Sequence, residues 1–162
     1  MTKNKSFTAD PTFWLGYASF LIDVLSPPSP IRARALLQRA TQSVPSAQQR
    51  HLTQKFASLE FKSKNGDPER GRTIFEGLVS AYASKGDVWD VYLAMEMSHG
   101  EEEKVGELFE RMSKVGKGKR RERVFGKWRA WEEGRGNGKG VERVRALETQ
   151  WREDRTKDKD AE

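Results

Sequence analysis

Three glutamates recur at a constant spacing and are the first side chains in the sequence that could do chemistry. Glu60, Glu96 and Glu132 follow one another at intervals of 36 residues. Such a row could be functional, because carboxylates are the groups that proteins use for acid–base chemistry and for cation binding. A semi-buried carboxylate must, however, be paired. We therefore favour a structural role, in which each glutamate binds an arginine or a backbone group.

The other candidates for catalysis or metal binding are few. The chain has no cysteine, which excludes disulfides and thiolate metal sites. Its two histidines, His51 and His99, are isolated, and no group of histidines and carboxylates has the spacing of metal ligands. The glycines of GRGNGKG, residues 134–140, match neither phosphate-binding motif, so a flexible loop is expected there. We predict that the protein is not an enzyme and takes no cofactor, metal or small-molecule substrate.

Positive charge is concentrated in one segment, KVGKGKRRERVFGKWR, at residues 114–129. The segment carries a net charge of +7, whereas the whole chain carries +6. Clustered cations can bind the phosphate backbone of RNA or an acidic protein segment. The alternative is a solvated loop and helix start. The candidate binding residues are Lys114, Lys117, Lys119, Arg120, Arg121, Arg123 and Lys127.

These residues lie within a sequence repeat of about 36 residues. The aromatic residues Tyr17, Phe56, Tyr92 and Trp128 each open the same short phrase. A second apolar pattern with helical spacing follows each phrase. Its members are Leu36, Leu37 and Ala40, then Ile74, Phe75 and Leu78, then Leu108, Phe109 and Met112, and last Ala146 and Leu147. Each repeat is therefore predicted to form two helices, A and B.

The repeats predict an all-α protein, an α-solenoid of about four antiparallel helix pairs. Gly66, Asp67 and Pro68 are typical of a helix stop followed by a new N-cap and first turn. We place the repeats at about 11–45, 48–83, 87–115 and 119–151. A disordered tail is expected over residues 1–10, and a charged disordered tail over residues 152–162.

The recurring side chains are expected to pack between neighbouring hairpins, because positions i, i+3 and i+4 share one face of a helix. For the glutamate of the second repeat, Arg72 is the candidate partner. The predicted structural anchors are Trp14, Tyr17, Phe56, Leu59, Glu60, Phe75, Tyr92, Met95, Glu96, Phe109, Trp128, Trp131 and Glu132.

Neither a membrane nor secretion is indicated by the sequence. No apolar run approaches the roughly 20 residues of a membrane-spanning helix. The stretch MTKNKSFTADPTFW also lacks the apolar segment of a secretory signal. We expect a soluble protein of a reducing intracellular compartment, with no membrane partner.

Several segments resemble a known family. Trp14-x-x-Tyr17-x-x-Phe20 followed by ARALLQRA resembles the half-a-TPR (HAT) repeat of RNA-processing proteins. KFASLEFKSKNGDPERGRTIFEGLVSAY, DVWDVYLAMEMSHG and VGELFERM together resemble the C-terminal HAT domain of the ribosomal-RNA-processing family called Rrp-five, or programmed cell death protein eleven in animals. The resemblance runs from about Trp14 to Trp151 and is most specific over residues 55–112.

That resemblance implies a nucleolar scaffold in pre-ribosomal RNA processing and early ribosomal-subunit assembly. Its partners would be proteins of pre-ribosomal particles, with pre-ribosomal RNA as a second candidate. The family carries OB-fold RNA-binding domains of the ribosomal-protein S-one type ahead of this region, and this chain has none. We therefore expect either an excised piece or a shortened protein, whose RNA affinity would rest on the HAT region alone. A looser turn is expected at AYASKGDVW, where the family usually has a proline followed by basic residues.

Two functions follow from these observations. The first is a scaffold in which the A helices line a groove that receives a partner segment. The second is an RNA-contacting module centred on the basic segment, and an alternative setting for it is a splicing or 3′-end processing complex. We favour scaffolding as the main role, with weak, sequence-independent RNA contact as a secondary one.

Overall fold

The chain forms helices throughout the part that can be described. A computed structural model describes residues 7–160, with side chains over residues 7–157. That range contains eight α-helices and no strand. The predicted class, an all-α helical repeat, is confirmed.

The helices follow one another in four consecutive pairs. A short 3₁₀ turn at Phe7–Ala9 precedes the first helix, and one π-helical turn at Phe20–Val24 continues it. The helices are α1 (Pro11–Ser19), α2 (Pro30–Ser43), α3 (Ser46–Lys62), α4 (Pro68–Ala81), α5 (Gly86–His99), α6 (Glu102–Val115), α7 (Gly118–Gly134) and α8 (Gly138–Asp160). The odd-numbered helices are the A helices of the repeats, and the even-numbered ones are the B helices.

Side-chain caps fix two of the helix starts. The Asp67 carboxylate accepts a hydrogen bond from the Glu69 backbone N–H at 3.1 Å, and Pro68 occupies the first helical position. Asp10 caps α1 in the same way by accepting from Thr12. Its side-chain hydrogen bond with the Thr12 hydroxyl lowers the pKa of Asp10. These carboxylates satisfy backbone donors that would otherwise lack partners at the helix ends.

The turn between α4 and α5, which the sequence predicted to be loose, is held by hydrogen bonds. The Lys85 backbone N–H donates to the Tyr82 carbonyl at 2.8 Å. The Trp89 indole N–H donates to the Ala83 carbonyl at 3.0 Å. The departure from the family pattern at this turn therefore leaves an ordered connection.

Among the described residues, the helices divide into two compact units, residues 7–102 and 103–160. In the first unit, α1 packs against α2 and α3, α3 packs against α4, and α5 packs against both α3 and α4. One core cluster joins Trp14, Ala18, Leu36 and Phe56 from its first three helices. In the second unit, α7 packs against α8.

Aromatic stacking covers the repeat anchors from the preceding B helix. Phe75 of α4 stacks on Tyr92 of α5 with ring centroids 4.9 Å apart. Phe109 of α6 stacks on Trp128 of α7 with centroids 5.9 Å apart. Each pair joins one repeat to the next, and all four rings are buried.

The last helix departs from the sequence prediction in register. Ala146 and Leu147, predicted to face the core, are exposed, whereas Val141 and Val144 are buried. Val141 and Val144 follow the buried Val105 and Leu108 of α6 by one 36-residue period. Because Leu147 is the larger side chain, the sequence favoured it over the smaller valines that carry the repeat.

The charged C-terminal segment also differs from the prediction. Residues 152–160 continue α8, although a disordered tail was expected from residue 152. Ion pairs stabilise this end: Arg152 donates to Glu148 at 2.7 Å, and Arg155 lies 3.6 Å from Glu122 of α7. Such i, i+4 and interhelical pairs compensate for the shortage of apolar residues. At the other end, residues 7–9 form the 3₁₀ turn and Asp10 caps α1, although a disordered tail was expected over residues 1–10. The rest of the expected tails, residues 1–6 and 161–162, lies outside the described residues.

No described helix is both long enough and apolar enough to span a membrane.

The stacked anchors predict a large difference between two tyrosines. Replacing Tyr92 with alanine should lower the free energy of unfolding by about 3–5 kcal/mol, because it removes a buried ring stacked on Phe75. Replacing the equivalent Tyr17, which is 37% exposed, should cost less than about 1 kcal/mol. Urea denaturation followed by circular dichroism measures both. Equal costs for the two variants would contradict the assigned register.

Candidate functional site

The carboxylate of Glu60 is held by two neighbouring elements. The Arg34 guanidinium, from α2 of the preceding repeat, donates from Nε to Oε1 at 2.9 Å and from Nη2 to Oε2 at 3.0 Å. The backbone N–H of Asp67, at the entry to α4, donates to Oε2 at 2.8 Å. One buried carboxylate thus joins three helices, α2, α3 and α4.

The carboxylate of Glu96 repeats the same arrangement one period later. Arg72 of α4 donates from Nε to Oε1 at 2.5 Å and from Nη2 to Oε2 at 3.0 Å. The backbone N–H of Glu101, just before α6, donates to Oε2 at 3.3 Å. Arg72 also contacts the Glu69 and Glu101 carboxylates. We call this set of an arginine, a glutamate and the next backbone N–H the clasp.

Pairing with a carboxylate in the clasp outweighs the effect of burial and keeps the arginines charged. Hydrogen bonds to the Glu96 carboxylate raise the pKa of Arg72, and those to Glu60 raise the pKa of Arg34. Two parallel bonds from a planar guanidinium match the geometry of a carboxylate. A Cβ on Gly100 would lie 1.9 Å from Glu96 Oε2, so only glycine fits beside the carboxylate. The clasp therefore constrains the turn as well as the two helices.

The clasp corrects the predicted partner of Arg72 and identifies a second arginine that the sequence did not predict. Arg72 was expected to pair with the glutamate of the second repeat, Glu60, but it binds Glu96 of the third repeat. The partner of Glu60 is Arg34, which was not predicted from the sequence. The signal was present, because Arg34 precedes Leu37 by three residues, as Arg72 precedes Phe75.

The third junction lacks the arginine. Gly106 of α6 occupies the position of Arg34 and Arg72. Glu132 instead accepts a hydrogen bond from the Asn137 side-chain amide at 2.7 Å, and Arg135 lies 3.6 Å away. Both partners belong to the turn that follows α7, so this carboxylate holds its own hairpin.

The three glutamates lie on successive A helices, and each is buried with its carboxylate paired. No group of three or more histidines, aspartates or glutamates among the described residues could hold a metal ion. His51 and His99 are exposed. Gly134 is the last residue of α7 and residues 138–140 are the first of α8, so residues 135–137 alone form the turn of this segment. The carboxylate row thus has the geometry of structural pairing.

The predicted anchors are distributed between core and surface. Tyr17 is exposed, and Leu59 and Trp131 are partly buried. The remaining ten are buried: Trp14, Phe56, Glu60, Phe75, Tyr92, Met95, Glu96, Phe109, Trp128 and Glu132.

The basic segment surrounds the turn from α6 to α7, and its members differ in exposure. Lys117, Lys119 and Arg123 are exposed along the turn and the start of α7. Lys127 is exposed one turn further on, and Arg120 is partly buried. These side chains bring positive charge to the N-terminal end of a helix, where the helix dipole is also positive and attracts anions.

Lys114 and Arg121 of the basic segment make contacts within the fold. Lys114 donates to Glu110 at 3.0 Å, a bond that lowers the pKa of Glu110. The Arg121 guanidinium lies 5.3 Å from the Trp151 ring centroid and 5.8 Å from that of Phe125. Burial lowers the pKa of Arg121. Arg121 is therefore oriented by aromatic packing against α8, and the exposed residues carry most of the accessible charge.

An open groove of about 780 Å³ lies along α2 in the first unit. Its lining combines apolar and basic side chains, among them Ile31, Leu37 and Arg70. Most of the lining comes from the B helix α2, whereas the repeat pattern predicts a binding groove lined by A helices.

The chain is similar to proteins named as rRNA biogenesis proteins and to one named as a homologue of RRP5. It is 42% identical over 147 residues to rRNA biogenesis protein rrp5 of Schizosaccharomyces pombe. It is 35% identical over 121 residues to Protein RRP5 homolog of Homo sapiens, and 33% over 118 residues to rRNA biogenesis protein RRP5 of Arabidopsis thaliana. The matches cover 89%, 75% and 71% of this chain, but only 8%, 6% and 6% of those proteins. No protein-family model matches the chain.

The clasp predicts unequal effects of single and double substitutions. Arg72→Ala should lower the free energy of unfolding by about 3–5 kcal/mol, because Glu96 would remain buried without its cation. Replacing both residues with apolar ones, Arg72→Met with Glu96→Leu, should recover most of that loss. Urea titrations of the three proteins decide the point. A double variant less stable than Arg72→Ala would contradict the account.

The missing arginine at the third junction predicts a stabilising substitution. A Cβ at Gly106 meets no atom within 4 Å. Gly106→Ala should therefore add about 1 kcal/mol through helix propensity. Gly106→Arg should add about 1 kcal/mol more by donating to Glu132. Gly106→Met controls for side-chain length, and thermal unfolding compares the three. An arginine variant no more stable than the methionine variant would show that Glu132 accepts no such partner.

Proposed function

The chain belongs to the Rrp5 family, and we propose that it acts in ribosomal-RNA biogenesis as a helical-repeat scaffold. The observation that carries the proposal is the 42% identity to rRNA biogenesis protein rrp5 over 89% of the chain. Because the chain spans less than a tenth of the relatives' length, we propose this role only for the segment that the chain matches. A nucleolar location follows from the same proposal.

The scaffold role is supported by the way the chemistry of the chain is used. The repeated carboxylates are buried and bound by arginines or an asparagine, so they stabilise the repeat and leave no free acid–base group among them. Helical repeats of this kind present extended surfaces on which partners bind. We propose that proteins of pre-ribosomal particles are the main partners, with the groove along α2 as one available surface.

Weak RNA contact is proposed as a secondary role of the basic segment. Lys117, Lys119 and Arg123 are exposed at the positive end of α7, which suits the phosphate backbone of RNA. A contact of this type depends on the charge and spacing of the phosphates and not on the base sequence. It would therefore hold pre-ribosomal RNA near the scaffold without selecting a site.

The RNA contact predicts a specific loss on charge removal. Changing Lys117, Lys119 and Arg123 together to alanine should weaken binding to unrelated single-stranded RNAs about equally. The slope of log affinity against log salt should flatten by about 2 units, since each phosphate contact on single strands contributes about 0.7. Fluorescence anisotropy over a salt series measures both quantities.

The matched control changes three exposed lysines of the first unit, Lys55, Lys62 and Lys64. That variant removes the same charge but should retain the affinity and slope of the unmodified chain. Equal losses in the two triple variants would show that RNA responds only to net charge, and would remove the basic segment from the proposal.

The scaffold proposal itself is tested in cells. Deleting the region equivalent to residues 7–160 from the endogenous gene should cause uncleaved ribosomal-RNA precursors to accumulate, as measured by northern hybridisation. A gene carrying the alanine substitutions at Lys117, Lys119 and Arg123 should retain most precursor cleavage, because scaffolding is the main role. Normal precursor processing after the deletion would contradict the proposal.

A further inference from the structure

The turn between α7 and α8 presents an arginine between two glycines. Residues 134–136 read Gly-Arg-Gly, and Arg135 is the only arginine of the sequence with glycine on both sides. All three residues are exposed. A Cβ on Gly134 or Gly136 would meet no atom of the described residues within 4 Å, apart from its chain neighbours and its own helix. The backbone on both sides of Arg135 is therefore open to the approach of another molecule.

The fold requires only one of these two glycines. Gly136 has a φ of +68°, a left-handed conformation that favours glycine. Gly134 ends α7 with neither a positive φ nor a close contact, so alanine would fit there and would favour the helix. Gly140 differs, because a Cβ there would lie 2.6 Å from Glu132 Oε2. Neither packing nor backbone geometry explains the glycine at position 134, which indicates recognition by another molecule.

The Arg135 side chain lies on the surface of the turn. Its guanidinium is 4.2 Å from the centroid of the Trp131 ring, a cation–π contact. Its Nη1 atom is 3.6 Å from Glu132 Oε2, which is longer than a hydrogen bond, and the side chain is 32% exposed. Both contacts depend on the positive charge of the guanidinium. A modification that preserves this charge would therefore preserve both contacts.

We propose that Arg135 is a methylation site for a protein arginine methyltransferase that uses S-adenosylmethionine. A terminal guanidinium nitrogen attacks the methyl carbon of the sulfonium, and a new N–C bond forms as the C–S bond breaks. S-adenosylhomocysteine leaves with the electron pair of the broken bond, and the nitrogen loses one proton to a base of the enzyme. The arginine has to enter a narrow channel to reach the methyl donor, so its neighbours lie against the rim. Glycine permits that close approach because it has no side chain.

The turn can accept the methyl group without losing its contacts. Methylarginine keeps its positive charge, so the ion pair with Glu132 and the cation–π contact with Trp131 both persist. The modification removes an N–H donor and adds apolar surface beside the indole ring. It therefore changes what the exposed guanidinium can bind and leaves the hairpin intact. This inference goes beyond the proposed function and does not depend on it, because it rests on the turn alone.

The test uses the whole chain, produced unmodified in bacteria. The chain is incubated with tritiated S-adenosylmethionine and a methyltransferase of the class that forms asymmetric dimethylarginine. Tandem mass spectrometry should place the methyl groups on Arg135, and Arg135→Lys should abolish incorporation. Arg145→Lys is the matched control, because Arg145 is 62% exposed but lies between Val144 and Ala146. That variant should be methylated as fast as the unaltered chain.

A glycine variant separates recognition from exposure. Gly134→Ala keeps Arg135 and the helix, yet it should lower kcat/KM for methylation by at least about tenfold, since one added methyl group in a tight site costs this much. Circular dichroism checks that the variant keeps its helicity. In the protein isolated from its own cells, mass spectrometry should also find methylated Arg135. Absent methylation in either preparation, incorporation that survives Arg135→Lys, or equal rates for Gly134→Ala and the unaltered chain would overturn the proposal.

Discussion

The burial of a carboxylate on each A helix after the first is the constraint on which the rest of the structure depends. A buried Glu96 is tolerated only because Arg72 and the Glu101 backbone N–H satisfy both of its oxygens. Meeting that requirement fixes the rotation of α4 against α5 and the path of the turn into α6. The same solution at Glu60 shows that the constraint is a property of the repeat and not of a single site.

The sequence predicted those features that a 36-residue period encodes directly. Phe56, Tyr92 and Trp128 have the size and spacing of core anchors, and all three are buried. The period also indicates pairing at the glutamates, but a single chain does not reveal which repeat provides the arginine. Arg72 reaches forward to Glu96 because guanidinium length and helix stacking decide the partner, and neither is visible as a sequence pattern.

The remaining differences between the predicted and the observed structure lie in α8 and in the basic segment. Leu147 is apolar enough to resemble a core residue, yet packing selects the smaller Val144 one period after Leu108. The charged end of α8 is helical because paired side chains such as Arg152 and Glu148 support it, although its composition is typical of disorder. Within the basic segment, the proximity of Arg121 to Trp151 depends on tertiary structure alone. Charge counting could therefore propose the binding segment, but it could not separate its accessible members from its structural ones.

The central claim is that the clasp arginines are sequestered between repeats, and their side-chain hydrogen exchange tests it most directly. In two-dimensional NMR spectra, the Nε–H groups of Arg34 and Arg72 should exchange with water orders of magnitude more slowly than that of the exposed Arg123, because both donate to buried carboxylates. Exchange at Arg72 as fast as at Arg123 would contradict the account, since it would mean that Glu96 does not hold the two repeats together.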